Sequence, residues 1–142
     1  ETTLAQEVDL ARTYLDVLQV RMGERLKVRF EVPAEFAGLA FPPLALSTLT
    51  ENAIKHGLNP LPEGGAIEIQ ARREGGRLKV GVADTGAGLR ASGGPGAGIA
   101  NLRARLAALY GGDDGLTLEA NVPRGIRATI TVPIRAARIG QA

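Results

Sequence analysis

Apolar side chains recur at steps of three and four residues through the first 22 positions, which is the spacing of one face of an α-helix. The stripe consists of Leu4, Val8, Ala11, Leu15 and Leu18. Gly23 follows it, and glycine commonly stands just past the end of a helix. The pattern therefore predicts an amphipathic helix over residues 3 to 22, which covers a sheet or meets a partner helix.

Alternating apolar and polar residues predict five strands in the rest of the chain. Residues 26 to 32 alternate strictly and form the first. The other four form two hairpins, because each pair is joined by a short turn that contains glycine, at residues 74 to 76 and 123 to 125. These strands are expected at residues 67 to 71, 78 to 82, 116 to 119 and 128 to 132.

Two further helices are predicted between these strands. One covers residues 44 to 57, after the Pro42-Pro43 pair, and the other covers residues 99 to 110, with Leu102, Leu106 and Leu109 on one face. A loop rich in glycine and proline, residues 86 to 98, precedes the last helix. The element order is αβαββαββ. Consecutive hairpins and one-sided helices indicate an α+β two-layer sandwich, with the helices on one face of a largely antiparallel mixed sheet.

The composition describes an ordinary globular chain. Its 142 residues make one domain, in which residues 1 to 22 form a linking helix and residues 23 to 142 the core. The absence of cysteine excludes disulfides and thiolate metal sites, and no apolar run is long enough to span a bilayer, so we expect a cytoplasmic domain. Basic residues number 17 against 15 acidic ones and are scattered, which argues against nucleic-acid binding.

Three short motifs carry candidate nucleotide chemistry. They are TENAIKHG at residues 50 to 57, DTGAGL at residues 84 to 89 and GAGIAN at residues 96 to 101. The first ends a predicted helix, the second follows a predicted strand, and the third opens the last helix. Each is weak alone, but their order and contexts agree with a single site that combines a metal ligand, a base-reading group and a phosphate cradle.

The first motif offers an amide and two basic groups at helical spacing. Asn52, Lys55 and His56 lie three and four residues apart, so an α-helix would project them from one side. An amide oxygen suits a hard cation, and a lysine can neutralise phosphate charge. The alternative is an exposed Glu51–Lys55 ion pair worth about 0.3 to 0.5 kcal/mol, with Asn52 and His56 facing water.

The second motif offers a carboxylate followed by glycines. Asp84 can accept a hydrogen bond from the exocyclic amine of adenine, whereas it would repel the carbonyl oxygen that guanine carries there. Gly86 and Gly88 allow the backbone to approach a base closely. The alternative is a local Asp-Thr-Gly turn at the exit of a strand.

The third motif places Gly96 and Gly98 before a helix whose first amide groups can receive phosphate. Its alternative is an ordinary linker. Other nucleotide patterns fit less well, because residues 86 to 91 match a dinucleotide fingerprint but lead into more loop, and no acidic residue follows before Gly112 to hold a ribose. A P-loop sequence is absent.

In these motifs the chain resembles the GHKL (Bergerat) ATP-binding fold, specifically the catalytic domain of LytS-like bacterial sensor histidine kinases. The resemblance extends over nearly the whole chain and includes residues 7 to 25, the PPL segment at residues 42 to 44 and the NLRARL segment at residues 101 to 106. It implies ATP and Mg²⁺ as cofactors, with Asn52 as the metal ligand and Asn52 and Lys55 as catalytic residues. The implied nucleotide contacts are Asn52, Lys55, His56, Asp84, Gly86, Gly88, Gly96, Gly98, Ile99 and Thr129.

Among these, Asp84 would read adenine and Thr129 would support it, although Thr129 is as plausibly an ordinary strand residue. Such a kinase transfers the γ-phosphoryl group of ATP to a histidine and then to the aspartate of a response regulator. The single histidine, His56, lies inside the nucleotide motif. The resemblance therefore implies an excised catalytic domain whose phosphoacceptor lies in an upstream dimerisation domain.

The resemblance implies that the intact protein is a homodimer. Whether a missing sensor region anchors it in the inner membrane is a question that the sequence leaves open. Hydrolysis is disfavoured, because Thr48 stands where a hydrolysing member of the fold would carry an acidic residue. Two alternatives remain: a nucleotide-gated interaction module without phosphotransfer, and an α+β scaffold that binds no nucleotide.

Overall fold

Helices cover one face of a five-stranded sheet in the computed structural model, which describes residues 2–58, 61–87, 97–111 and 115–137. The helices are α1 (Leu4–Met22), α2 (Ala45–Asn52) and α3 (Ala97–Tyr110). The strands are β1 (Thr2–Thr3), β2 (Leu26–Glu31), β3 (Ala40–Phe41), β4 (Gly65–Glu74), β5 (Arg77–Asp84), β6 (Gly115–Ala120) and β7 (Ile126–Pro133).

The first helix forms as its apolar stripe predicts. A capping box starts it: the Thr3 hydroxyl accepts from the Gln6 N–H, and the Gln6 side chain accepts from the Thr3 N–H. It ends at Gly23, whose φ of 59° favours glycine. All five residues of the stripe are buried, and Glu7 is buried with them.

The main sheet has the strand order β2-β4-β5-β7-β6. Strands β2 and β4 run parallel, and every other neighbouring pair in this sheet is antiparallel. The chain crosses from β2 to β4 through β3 and α2, which places α2 on the helical face. This architecture confirms the predicted α+β sandwich with a largely antiparallel mixed sheet. Strands β1 and β3, of two residues each, form a separate antiparallel pair. They are too short to be predicted from periodicity.

The core lies between the sheet and the helices. On β5 the alternating residues Leu78, Val80 and Val82 are buried in this core, and Leu102 and Leu106 of α3 belong to the same buried cluster. Leu109 was predicted on the same face of α3 but is 56% exposed. Tyr110, one turn beyond Leu106, packs against the core in its place.

The second helix differs from its prediction near the end. It is α-helical from Ala45 to Asn52 and continues as a π-helix over Ala53–Leu58, with hydrogen bonds from i to i+5. The α-helical spacing assumed for Lys55 and His56 therefore does not apply beyond Asn52. No helix in the described part of the chain has both the length and the hydropathy of a membrane span.

Candidate nucleotide site

Asp84 is the last residue of β5, and its side chain is buried, with 2% of its surface exposed. Its Oδ1 accepts hydrogen bonds from the backbone N–H groups of Gly86, at 2.8 Å, and Ile126, at 3.4 Å. Burial raises the pKa of this carboxyl above its ordinary value, and the two hydrogen bonds oppose that rise in part. A buried carboxylate at the exit of a central strand is thus held by one N–H group of its own turn and one of strand β7.

The end of the first motif touches the second motif directly. A β-carbon on Gly57 would lie 2.9 Å from Asp84 Oδ1, and a β-carbon on Gly86 would overlap the backbone of Gly57. The Ala87 N–H also donates to the Gly57 carbonyl oxygen at 2.9 Å. Only glycine at positions 57 and 86 allows this approach, so two of the three motifs predicted to share a site do meet.

The β6–β7 hairpin fixes the backbone of Asp84. The Asn121 side-chain amide donates to the Asp84 carbonyl oxygen at 2.7 Å, and Gly125, with a φ of 107°, lies against the same oxygen. Next to it, the Thr85 hydroxyl accepts from the Ala66 N–H at 2.9 Å. Sequence reasoning missed Asn121 and Gly125 as supports. The glycine in the predicted turn was the only signal, and it carried no information about what the turn would touch.

Thr129 does not support Asp84, so this part of the predicted site is wrong. Thr129 pairs with Gly81 on β5, and a β-carbon on Gly81 would lie 3.6 Å from the Thr129 hydroxyl. Asp84 is three residues beyond Gly81, and alternation along a strand places side chains at odd separations on opposite faces. The contact expected of Thr129 is made by the backbone N–H of Ile126, three residues earlier in β7.

Asn52, Lys55 and His56 surround the junction between α2 and the π-helix. Asn52 and His56 are half-buried, and Lys55 is exposed. Among the described residues, their side chains form no hydrogen bond or ion pair, and Glu51 and Lys55, both within that part, are not paired with each other. The ion-pair alternative is therefore not found, and the Asn52 amide oxygen is left without an intramolecular donor in the described structure.

The third motif is described only from Ala97 onward, so the predicted contacts of Gly88 and Gly96 fall outside the described residues. Gly98 is exposed, in the first turn of α3, and a β-carbon there would lie 3.7 Å from Thr48 of α2. Ile99 is 1% exposed and its side chain belongs to the core, so only its backbone could meet a nucleotide. The start of α3 thus lies beside the helix that carries Asn52.

Glu7 of α1 is a buried acidic residue that the sequence analysis did not single out. Its carboxylate accepts from the N–H groups of Leu44, at 3.0 Å, and Leu46, at 3.3 Å, at the N-terminus of α2. Burial raises the pKa of Glu7, against the lowering effects of these hydrogen bonds and of the Arg105 charge. The available signal was an acidic residue on an apolar stripe, between Leu4 and Ala11.

Residues 43–136, which contain the whole arrangement around Asp84, match the family model described as "Histidine kinase-, DNA gyrase B-, and HSP90-like ATPase". Curated relatives agree with it. The chain is 35% identical over 138 residues to the sensor histidine kinase YesM of Bacillus subtilis (strain 168) and 33% identical over 135 residues to the sensor histidine kinase BtsS of Escherichia coli (strain K12). Each match covers 94% of this chain and 24% of the relative, so the chain spans about a quarter of their length.

Solved structures share the fold at low sequence identity. The catalytic domain of the histidine kinase ThkA superposes with a TM-score of 0.68 at 15% identity, covering 93% of this chain and 95% of that one. The histidine kinase domain of the Erythrobacter litoralis EL346 blue-light activated kinase gives 0.66 at 17% identity, covering 94% and 64%. With a family model that matches about two thirds of its residues, the chain belongs to the histidine kinase-, DNA gyrase B- and HSP90-like ATPase family, as the GHKL resemblance predicted.

Proposed function

We propose that this chain is the ATP-binding catalytic domain of a two-component sensor histidine kinase. It would hold Mg-ATP for transfer of the γ-phosphoryl group to a histidine on a domain outside this chain. The observation that carries the proposal is the contact between Gly57 and the Asp84 carboxylate, because it brings two nucleotide motifs to one place. Membership of an ATPase family implies ATP as the ligand, and the similar proteins YesM and BtsS are sensor histidine kinases by name.

Adenine is recognised through Asp84 in this proposal. Oδ1 is engaged by backbone N–H groups, which fixes the plane and position of the carboxylate. The side chain then offers an acceptor to the exocyclic amine of adenine, and the same acceptor repels the carbonyl oxygen of guanine. Gly57 and Gly86 carry no side chain, which lets the backbone of the first motif lie directly against this carboxylate.

Phosphate and metal are held on the α2 side. The donor set fits Mg²⁺, since Asn52 supplies one amide oxygen without an intramolecular partner in the described structure, and phosphate oxygens and water would complete the shell. When bound, the ion neutralises phosphate charge. Lys55 and His56 would contact phosphate or sugar. The backbone at Gly96, Gly98 and Ile99 would receive the phosphates, and Gly88 would let the backbone approach the base.

Phosphoryl transfer needs little covalent chemistry from this domain. The bond between the γ-phosphorus and the β–γ bridging oxygen breaks, a phosphorus–nitrogen bond to the acceptor histidine forms, and ADP leaves. Positioning and charge neutralisation are the main contributions. Thr48 supports transfer over hydrolysis, because its hydroxyl donates to the Leu44 carbonyl oxygen at 2.9 Å and it cannot replace an acidic group as a base for water.

The intact protein would act as a homodimer that supplies the acceptor histidine and passes the phosphoryl group to a response regulator. This domain would work in the cytoplasm, where ATP is available. We infer Mg²⁺ binding, the homodimer and the cytoplasmic location from the proposed kinase function.

The experiment is calorimetric titration of the domain with ATP and GTP, with and without Mg²⁺. Wild type should bind ATP saturably and exclude GTP. Asp84→Asn should weaken ATP binding about tenfold or more, whereas Asp16→Asn, an exposed carboxylate on α1, should leave it unchanged. Absence of ATP binding by the folded domain would overturn the proposal.

Phosphotransfer is tested next with γ-labelled ATP and an added dimerisation domain that carries an acceptor histidine. A kinase domain should label the acceptor in a reaction that Asn52→Ala abolishes. ATP binding without any labelling, across several acceptor domains, would favour the nucleotide-gated interaction module instead.

A further inference from the structure

The N-terminus of α2 is held by side chains from both neighbouring helices. Glu7 of α1 accepts from the N–H groups of Leu44 and Leu46 through its two carboxylate oxygens. From α3, the Arg105 guanidinium donates to the carbonyl oxygen of Pro43. One acidic and one basic side chain, each from a different helix, therefore form hydrogen bonds with the backbone at the start of α2.

The first residues of α2 need this support. Leu44 stands at the helix N-cap with a φ of 63°, a left-handed conformation that a non-glycine residue rarely adopts, and it makes no side-chain cap. Glu7 accepts from the Leu46 N–H, one of the groups that such a cap would satisfy, and from the N–H of Leu44 itself. Its negative charge lies at the positive end of the helix dipole. Only 1% of the surface of Glu7 is exposed, so water cannot replace it as the acceptor for these N–H groups.

The other end of the same helix carries Asn52. Helix α2 has eight residues and is therefore about 12 Å long. A helix this short moves as one body, and whatever fixes its first turn also fixes the amide at its last residue. The Thr48 methyl, beside Gly98 of α3, lies midway between these ends.

We propose that Glu7 and Arg105 are positioning residues that hold α2 so that Asn52 meets the metal-bound phosphates, and that they couple the placement of α1 and α3 to that site. The inference rests on the proposed function. It gives α1 a role beyond covering the core, since a displacement of α1 pulls on α2 through a carboxylate and its two backbone donors. Glu7 is 45 residues from Asn52 in sequence and acts on it through the helix.

The role predicts a split between two parts of nucleotide affinity. Adenine recognition depends on Asp84, which β5 and the β6–β7 hairpin hold. The metal-dependent part depends on Asn52 at the end of α2. Loss of the hydrogen bonds from Glu7 or Arg105 to the start of α2 should therefore lower the affinity for Mg-ATP, while the affinity for ATP in EDTA changes little.

The test is calorimetry of the folded domain with ATP in Mg²⁺ and in EDTA, for wild type, Glu7→Gln and Arg105→Met. The ratio of the two affinities should fall about tenfold in Glu7→Gln and fall in Arg105→Met, and should be unchanged in Asp9→Asn, an exposed acidic residue on the same helix. In an Asn52→Ala background, Glu7→Gln should cause no further fall in the ratio.

An unchanged ratio in folded Glu7→Gln, or an equal fall in the Asn52→Ala background, would overturn the inference while leaving the proposed function intact. Failure of the wild type to bind ATP would remove both. If Glu7→Gln does not fold, Arg105→Met decides the question, because it leaves the buried carboxylate and both of its backbone donors in place.

Discussion

Gly57 and Asp84 touch at a distance that admits no side chain between them: a β-carbon on Gly57 would lie 2.9 Å from Oδ1 and 3.0 Å from Cγ of the carboxylate. The two residues are 27 positions apart, on the π-helix and at the end of β5. Their contact places the TENAIKHG motif against the DTGAGL motif. It also makes glycine at position 57 a requirement of the site.

Gly57→Ala should push the Asp84 carboxylate out of position and weaken ATP binding about tenfold, which corresponds to about 1.4 kcal/mol, with a loss of stability of about 1–3 kcal/mol from overpacking. Calorimetry and urea denaturation measure the two effects. Gly76→Ala is the matched control, since a β-carbon there meets nothing within 4 Å. Equal ATP affinity in both variants would contradict the contact.

Gly125→Ala should damage the fold more than the first variant does. Its β-carbon would overlap the Asp84 carbonyl oxygen, and its φ of 107° already disfavours any side chain. Strain and overlap together should cost about 3 kcal/mol or more in the free energy of unfolding. Gly75→Ala separates the causes, because it has a φ of 62° but open space, and should cost about 1–2 kcal/mol.

Lys55→Ala should change binding without changing stability. Lys55 is exposed, and within the described structure it has no ion-pair partner, so its removal should alter the free energy of unfolding by no more than about 0.5 kcal/mol. Loss of its charge should weaken Mg-ATP binding by about fivefold, or about 1 kcal/mol. Lys27→Ala, on an exposed position of β2, should do neither. Equal Mg-ATP affinity in the two lysine variants would remove Lys55 from the site.

ATP affinity should fall as pH falls through the raised pKa of Asp84. Burial raises that pKa above the ordinary 3.8. In the proposed site, adenine recognition needs the carboxylate form. The fall should therefore begin at a higher pH than for an exposed aspartate. Calorimetry at a series of pH values measures it, and Asp84→Asn is the control that retains the titration of ATP itself. Parallel pH profiles for the two proteins would contradict the role of the carboxylate.

The free energy of unfolding should depend on pH through the raised pKa of Glu7. Its raised pKa means that the folded state holds a proton more tightly than the unfolded chain, whose ordinary value is 4.5. The Glu7 contribution to stability therefore declines as pH rises from that value to the raised pKa, and is constant above it. Urea denaturation across this window should show a shallower decline for Glu7→Gln. An identical slope would show that the Glu7 pKa is not raised.

Periodicity and motifs predicted most of the fold. The apolar stripe of α1 and the alternation of the five main strands depend on local sequence, and their burial confirmed both. The positions of side chains across the sheet depend on strand register, which local patterns do not reveal. The resemblance gave Thr129 a place beside Asp84, whereas its register puts it on the opposite face of the sheet. Ile126, an apolar residue that acts through its backbone, had no feature to reveal it.

Contacts between distant segments were equally out of reach. The donors that Glu7 caps lie 37 and 39 residues later in the chain, and nothing near Glu7 indicates them. The π-helix over Ala53–Leu58 has the composition of an ordinary helix end. The sequence did indicate correctly that TENAIKHG and DTGAGL lie side by side. The signal was polar residues and glycines that neither a helix nor a strand requires.

The parallel pairing of β2 with β4 has a consequence for how the protein acquires its site. The chain between these strands, residues 32 to 64, must close a long loop before the pair forms, whereas the β4–β5 and β6–β7 hairpins close through short turns. That connection is the segment that holds Asn52, Lys55 and His56. In the proposed site these residues thus lie in a long crossover and not in a hairpin, so we expect substitutions there to affect the kinetics of folding as well as nucleotide binding.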